Sequence, residues 1–514
     1  MLHKILNFFI NIKQKQAIFI ILLIACFLSI NTFIILEHNK FYSYLDESVS
    51  SILDMSHSFL TEYELINYID DKKIYEAIKL LYNYWKPPAF FVLSAPLLLL
   101  IKNINLFLSI FNFLLIFLTL FSIFQIVKKL YSIQAGLFAS FILSCCPLFF
   151  VIHRTFFIET LLTTSIAIVL YIIINNKFDN VYWNICLIIF LTISFLTKEQ
   201  IFIFCPIFLL FILIDRKNYI NIKRILTILL VFFVSYMFAY ILWYQHNAPN
   251  IFSHLLKYAV DDINKDYFYY IKSLYFFCIS PIIFILFVIS SIYFIIKKQH
   301  LTIIFSFLFI LFIFSLSTNK VSRHIVPVIL FLPILISLFI FQIKNIYTKR
   351  IFLLIVCLFI FFQYIFINYT KIKLFSQNNF YKYNFFKGVT YYNYKSKIQT
   401  YKQQYEYLKD ILGENFKTNT MFINFFPPHA YNFLILQKDR KEKVCDICLY
   451  EDIKKTIGKH VKYKNIIVSS INENEFNKTK NWLSTNNYIY SGIIDIFNHT
   501  PKATFLYTKK DKSY

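Results

Sequence analysis

Glycine is nearly missing: the chain has 5 in 514 residues, against 63 phenylalanines and 38 tyrosines. So few glycines exclude a glycine-rich loop that could cradle a nucleotide phosphate, and no internal repeat or heptad array is visible. Acidic residues are also scarce, 28 against 52 lysines and arginines, for a formal net charge of +24. Such a charge suits nucleic acid in a soluble protein. In a chain of long apolar runs it collects instead on cytoplasmic loops and fixes orientation, so nucleic acid is not expected as a partner. A cleavable signal is lacking too. The first apolar run, residues 17–37, is long enough to span and shows no small-residue cleavage site, so it is expected to anchor the chain. Cys445 and Cys448 form a lone CxxC with no second ligand pair at zinc spacing, which leaves a local disulfide or two free thiols. The other seven cysteines lie in apolar runs, where a thiol is a small hydrophobe.

What is present is grease. Hydrophobic residues make up 58% of the chain and aromatics 20%, far above the roughly 45–50% apolar content of soluble domains. The excess of Ile, Asn, Lys and Tyr fits AT-rich codon usage and carries no chemistry. The fold class expected is a mainly α polytopic membrane protein. Apolar runs near 17–37, 105–127, 134–152, 156–175, 181–197, 200–214, 224–244, 273–296, 301–318, 324–343 and 351–369 predict about eleven spans across a ~30 Å hydrocarbon layer. A further run, 87–101, opens with Pro-Pro and contains Pro96, and reads as an interfacial or re-entrant helix.

Charge counting sets the parity. With a cytoplasmic N-terminus and no crossing at 87–101, the inner segments hold fifteen Lys and Arg, and the short outer loops after the first hold seven. That obeys the positive-inside rule, which a crossing at 87–101 would break. The expected domains are a transmembrane region over 1–370, with 38–104 as a first outer loop bearing juxtamembrane helices, and an extracytoplasmic α/β domain over 371–514. In that tail, strand-like runs such as TMFINFF, NIIVSS and ATFLYT alternate with helix-like stretches such as YKQQYEYLKDIL and NEFNKTKNWLST. The chain is accordingly expected in the plasma or inner membrane.

Several charged residues are left over once topology is satisfied. Asp46 and Glu47, in YLDESVSSIL, follow the first span and precede an amphipathic stretch, so the pair sits at a membrane surface where a carboxylate can serve as a base; a solvated loop start is the plain alternative. In HRTFFIETLL, Glu159 lies inside apolar sequence, with His153 and Arg154 just before it. An ionisable residue at such depth is costly and a functional candidate, although a structural pairing with Arg154 would also account for it. Lys198, in FLTKEQIFIF, stands at an outer turn where it could reach an anionic group, although a tight turn needs polar residues anyway; Lys320, Arg323 and His324, in STNKVSRHIVP, put a basic cluster on the expected outer face, the wrong one by the positive-inside rule unless it is a simple exception. Acids beside bases at one interface suit deprotonation of a hydroxyl or amine while a phosphate leaves.

Taken in order, these stretches resemble the GT-C superfamily of membrane glycosyltransferases, especially the protein O-mannosyltransferases and the bacterial transferases that add aminoarabinose or other sugars to lipid A. The pieces that carry the resemblance are Asp46-Glu47, WKPPAFFVLSAPLLLL, CCPLFFVIHRTFFIETLLT, FLTKEQ and SRHIVP, spread over residues 17–370. The resemblance implies a sugar donor on a polyprenyl phosphate, inverting transfer on the outer face, and a lipid, glycan or protein acceptor. It makes Asp46 the general base, with Glu47 positioning it. Glu159 becomes a second acid, which in some relatives helps to hold a divalent cation. Lys198 is assigned to the carrier phosphate, with Arg323, Arg154 and His324 as further phosphate contacts. The sequence departs from the family where Ser48, Val49 and Ser50 follow the acid pair and where Arg-His replaces Arg-Tyr. The rival class is a multi-span transporter or lipid flippase without transferase activity.

Overall fold

A computed structural model of the chain describes residues 12–37, 61–62, 65–83, 86–101, 103–153, 156–175, 178, 180–215, 222–247, 267–275, 279, 281–316 and 322–368; beyond these it describes 410, 420–423, 446–448, 465–469, 480, 483–484, 488–494 and 504–509. Asp46, Glu47, Arg154, Lys320 and Cys445 lie outside the described residues. The described residues fall into two compact units, one drawn from 1–32, 64–96 and 109–394, the other from 33–63, 97–108 and 395–514.

The structure is mostly helical. In chain order the helices are α1 (Gln14–Glu37), α2 (Ile74–Asn83), α3 (Ala89–Leu100), α4 (Ile104–Leu130), α5 (Ile133–Ser144), α6 (Pro147–Ile152), α7 (Ile158–Asn175), α8 (Val181–Phe195), α9 (Ile201–Asp215), α10 (Ile222–Ala239), α11 (Tyr269–Ser273), α12 (Pro281–Ile296), α13 (Leu301–Leu316), α14 (Phe331–Gln342) and α15 (Ile346–Asn368). A 3₁₀ segment, Ser322–Leu330, leads into α14, and α10 runs on as a π-helical turn, Tyr240–Tyr244. Five stretches, 14–34, 105–130, 158–175, 224–247 and 323–342, are helical, long and apolar enough to cross a membrane; several shorter apolar helices accompany them. The chain is an integral membrane protein.

Among the described residues each apolar run read from the sequence falls largely on helix, but four of them are not single α-helices: the run 273–296 joins the end of α11 to α12, which starts at Pro281. The run 134–152 breaks at Cys145 and Cys146, and α6 restarts on Pro147, whose missing N–H costs nothing at a first helical position. The run 324–343 starts in 3₁₀ geometry around Pro327, and 224–244 ends in the π turn.

Packing separates enclosed helices from outer ones. The windows of α7 and of 323–342 are 83% buried, whereas that of 224–247 is only 22% buried. Leu226, Leu229, Leu230, Phe233 and Phe238 of α10 stay exposed, the pattern of a lipid-facing helix. Inside the bundle, small residues let backbones approach. Ser140 Oγ donates to Leu120 O at 2.8 Å, and the hydroxyls of Thr119 and Thr164 lie 2.8 Å apart, joining α4 to α5 and to α7.

In the second unit the strands β1 (Thr420–Ile423), β2 (Asp446–Cys448), β3 (Asn465–Ser469), β4 (Tyr488–Ile494) and β5 (Thr504–Lys509) form one sheet in the order β2-β1-β3-β5-β4. β1 pairs parallel with β2 (Phe422↔Ile447) and with β3 (Met421↔Ile466). β5 runs antiparallel to β3 (Ile467↔Leu506) and to β4, with an irregularity at Tyr490–Gly492. Parallel neighbours need crossover connections rather than hairpins. The three strand-like runs named from the sequence coincide with β1, β3 and β5.

Candidate active site

Glu159 is the second residue of α7, in the turn where free N–H groups favour a negative charge. The first turn is fixed by local bonds: Thr160 Oγ1 donates to Phe157 O at 2.6 Å, and Thr163 Oγ1 donates to Glu159 O at 2.7 Å. Its carboxylate is buried and meets two cations. Lys198 Nζ donates to Oε1 at 2.7 Å, and Arg323 Nε lies 3.2 Å from the same oxygen. The Arg323 guanidinium carbon sits 5.5 Å from the centre of the Phe157 ring, in cation–π contact. His324 is close enough to act electrostatically on Glu159, and its ring stacks on Phe314 at 6.5 Å.

Three elements bring these groups together. α7 packs against both α8 and the 3₁₀ segment. Glu159 and Arg323 each stand second in their element, so the two elements begin at the same end of the bundle. Lys198 follows the C-terminus of antiparallel α8, in the short turn before α9. Acid and cations therefore converge at one end of the helices, not at mid-depth. The two buried partners differ in access: the Arg323 side chain is 4% exposed, whereas that of Lys198 is 19% exposed. Two cations on one carboxylate gather positive charge in surroundings where charge is poorly screened. The arrangement suits an arriving anion.

Four of the five sequence stretches that carried the resemblance meet in the described structure. Ala89 N–H donates to Leu196 O at 2.8 Å, which lays the Lys86-Pro87-Pro88 segment against the turn of Lys198. α6, with His153 just after it, packs against the 3₁₀ segment of Arg323. His153 is buried; its Nδ1–H donates to Phe149 O at 2.8 Å, and its Nε2 has no partner among the described residues. The fifth stretch, Asp46-Glu47, lies outside the described residues, as does Arg154, so the pairing of Glu159 weighed with Arg154 is not visible. In the described structure Glu159 is paired with Lys198 and Arg323. Among the described residues no group of three or more His, Cys, Asp or Glu is placed to hold a metal ion. A divalent cation at Glu159 would have to displace two cations already there.

Residues that the sequence reading passed over stand next to this cluster. Tyr244 OH donates to Phe195 O at 3.0 Å, and its ring lies 5.9 Å from that of Phe202. Trp243 beside it is fully buried. Both lie at the end of a uniformly apolar run, which gave no signal of either.

Comparison with known proteins bears on the fold that carries this cluster. A family model described as dolichyl-phosphate-mannose-protein mannosyltransferase matches residues 85–243, the stretch that holds Glu159 and Lys198. No curated protein sequence matches the chain. Among solved structures, the chain resembles ArnT from Cupriavidus metallidurans bound to undecaprenyl phosphate, with a TM-score of 0.51 at 12% identity over 82% of this chain and 88% of that one. The apo state of the same protein matches with a TM-score of 0.50 at 12% identity, over 88% of this chain and 92% of that one. The resemblance to GT-C membrane glycosyltransferases holds for the fold as a whole and, over 85–243, for the sequence.

Proposed function

We propose, from a chain with the GT-C fold, that this protein is an inverting glycosyltransferase that moves a sugar from a polyprenyl-phosphate donor to a lipid, glycan or protein acceptor on the outer face of the membrane. The observation that carries the reading is the pair of cations, Lys198 and Arg323, gathered on buried Glu159 at one end of the bundle. Lys198, the more accessible, takes the carrier phosphate; Arg323 lies behind it, with Arg154 and His324 as further contacts. Asp46 takes the proton of the acceptor hydroxyl or amine. The freed lone pair attacks the anomeric carbon, the bond from that carbon to the phosphate oxygen breaks, and the phosphate leaves with the electron pair, held by the cations. Glu47 orients Asp46.

Chain direction supports placing Asp46 at the same end. α1 and α4 run antiparallel, with Lys128 Nζ donating to Gln14 Oε1 at 3.0 Å at one end. α4 and α7 run parallel, with Thr119 against Thr164 and Phe121 against Tyr171, so α7 begins at the end opposite Gln14. Lys128 and Lys129 at the end of α4 and residues 223 and 224 at the start of α10 fall at the other end, which makes the Glu159 end the outer one under the positive-inside rule. A transporter would place its charges near mid-depth on broken helices related by repeats, and this cluster lies at the helix ends. The tail from 371 reads as an extracytoplasmic domain.

The test is transfer from undecaprenyl-phosphate sugars by the purified protein. Asp46→Asn is expected to abolish transfer while leaving carrier binding intact. Lys198→Met is expected to weaken binding of bare undecaprenyl phosphate by at least tenfold, the scale of a charge-assisted hydrogen bond. Wild-type transfer in the Asp46→Asn protein removes Asp46 from the mechanism; unchanged carrier binding in the Lys198→Met protein removes the phosphate site.

A further inference from the structure

Three segments far apart in sequence are tied together beside Lys198. Asn247 Nδ2 donates to Tyr82 O at 2.9 Å, Ala89 N–H donates to Leu196 O at 2.8 Å, and Tyr244 OH donates to Phe195 O at 3.0 Å. The knot joins the end of α2 and the start of α3, the turn 196–200, and the outer end of the α10 helix. Two buried polar atoms in it have no hydrogen-bond partner among the described residues: Trp243 Nε1 and Gln200 Oε1. The first sits on a fully buried ring. An indole N–H can only donate and an amide oxygen can only accept, yet the fold does not satisfy one with the other. A buried polar atom left without a partner is costly, so two of them two residues or a helix end away from Lys198 call for a ligand. The π turn Tyr240–Tyr244 adds to the case, because a π bulge rotates the side chains that follow it and recurs where a helix serves a site.

We propose that Trp243 and Gln200 form a subsite for the sugar ring of the donor, the indole N–H donating to one hydroxyl oxygen and the amide oxygen accepting from a hydroxyl. A sugar hydroxyl both donates and accepts, so it matches the opposite needs of the two groups. The donor's sugar is the chosen occupant because its anomeric carbon is joined directly to the phosphate, and Gln200 is two residues from the lysine that binds that phosphate. The inference rests on the assignment of Lys198 to the carrier phosphate.

The experiment uses the full-length protein in detergent and measures affinity for bare undecaprenyl phosphate and for undecaprenyl phosphate bearing glucose, mannose or 4-amino-4-deoxyarabinose. The variants are Trp243→Phe, which keeps an aromatic ring and removes the N–H, and Gln200→Met, which keeps length and removes the oxygen. The wild type is expected to prefer at least one sugar-bearing carrier to the bare one. Each variant is expected to lose about tenfold of that preference, the size of a lost buried hydrogen bond, with bare-carrier affinity unchanged. In turnover, the donor KM rises and the acceptor KM does not move. Variants that keep the preference overturn the subsite, as do variants that lose bare-carrier affinity equally or that change the acceptor KM alone. A wild type that neither binds bare carrier nor transfers any of the sugars overturns the transferase reading itself, and the subsite falls with it. The two variants alter different helices, so misfolding of one leaves the other to decide.

Discussion

Glu159 gives one oxygen to two cations, and that sharing sets how each of the three side chains tolerates change. Glu159→Gln takes the Glu159 carboxylate away from buried Arg323, a loss on the order of 3–5 kcal/mol for a broken buried pair. Arg323→Met in the same protein removes the cation. The double variant is therefore expected to melt above the Glu159→Gln single variant, which a double-mutant cycle of thermal unfolding in detergent will show. Strictly additive losses would mean that the 3.2 Å approach carries no coupling. His153 behaves differently, because burial alone dominates it. It lies in the turn after α6, outside the apolar spans on either side, and burial pushes its imidazole from 6.5 down to about 4, against a smaller opposing effect of its bond to Phe149 O. Between those values the unfolded chain holds more protons than the folded one, so stability is expected to fall as pH drops from about 6.5 toward 4. His153→Gln should flatten that part of a melting-temperature profile, and an unaltered profile would assign the acid sensitivity to other groups. Glu159, Lys198 and Arg323 were all legible in the sequence as charges that topology did not need. Their pairing was not, because a one-dimensional reading set Glu159 beside its near neighbour Arg154, whereas helix packing brings in partners 39 and 164 positions away.

At the scale of elements, the 2.0 to 3.6 residue periodicities say little here, since helices that are apolar all round have no preferred face to read. Run length and breaks were enough to place helices, as the overlap of each run with helix among the described residues shows. What run length misses is irregularity: the 3₁₀ entrance at Ser322–Leu330 and the π exit at Tyr240–Tyr244 are invisible in composition, and both adjoin the cluster. Close helix contact is another property of elements. An added Cβ on Gly136 of α5 would stand 2.6 Å from Phe124 O and 3.2 Å from Lys128 N, both backbone atoms of α4 that have nowhere to go. Gly136→Ala is thus expected to cost about 1–3 kcal/mol as an overpacked contact, measured as a lower unfolding temperature in detergent. A melting temperature equal to that of the wild type would mean that α4 and α5 separate more easily than their spacing implies.

For the whole molecule, packing fixes which helix ends lie together, and loop charge alone supplies the proposed choice of which end faces outward. Single cysteines in a background lacking the native ones offer the check. A thiol at position 177 is expected to be shielded from a membrane-impermeant maleimide in intact cells, and one at position 257 to be labelled; the reverse pattern would invert the topology and move the cation cluster to the cytoplasmic face. The sheet of the second unit was partly legible, through β1, β3 and β5. β2 was not, because its three residues are too short for an alternation to register, and β4 was not, because its pattern is interrupted at Gly492.

The sharing of Glu159 between residues 198 and 323 also has a consequence for biogenesis. Helices emerge from the ribosome in order, so α7 is threaded into the bilayer long before the Arg323 segment has been synthesised. During that interval a carboxyl group lodged in hydrocarbon has at most half of its eventual counter-charge, the sort of blemish that membrane quality control recognises. Arrival of the late 3₁₀ segment closes the account, so chains cut short before residue 322 should be removed by membrane proteases far sooner than chains cut just after α14.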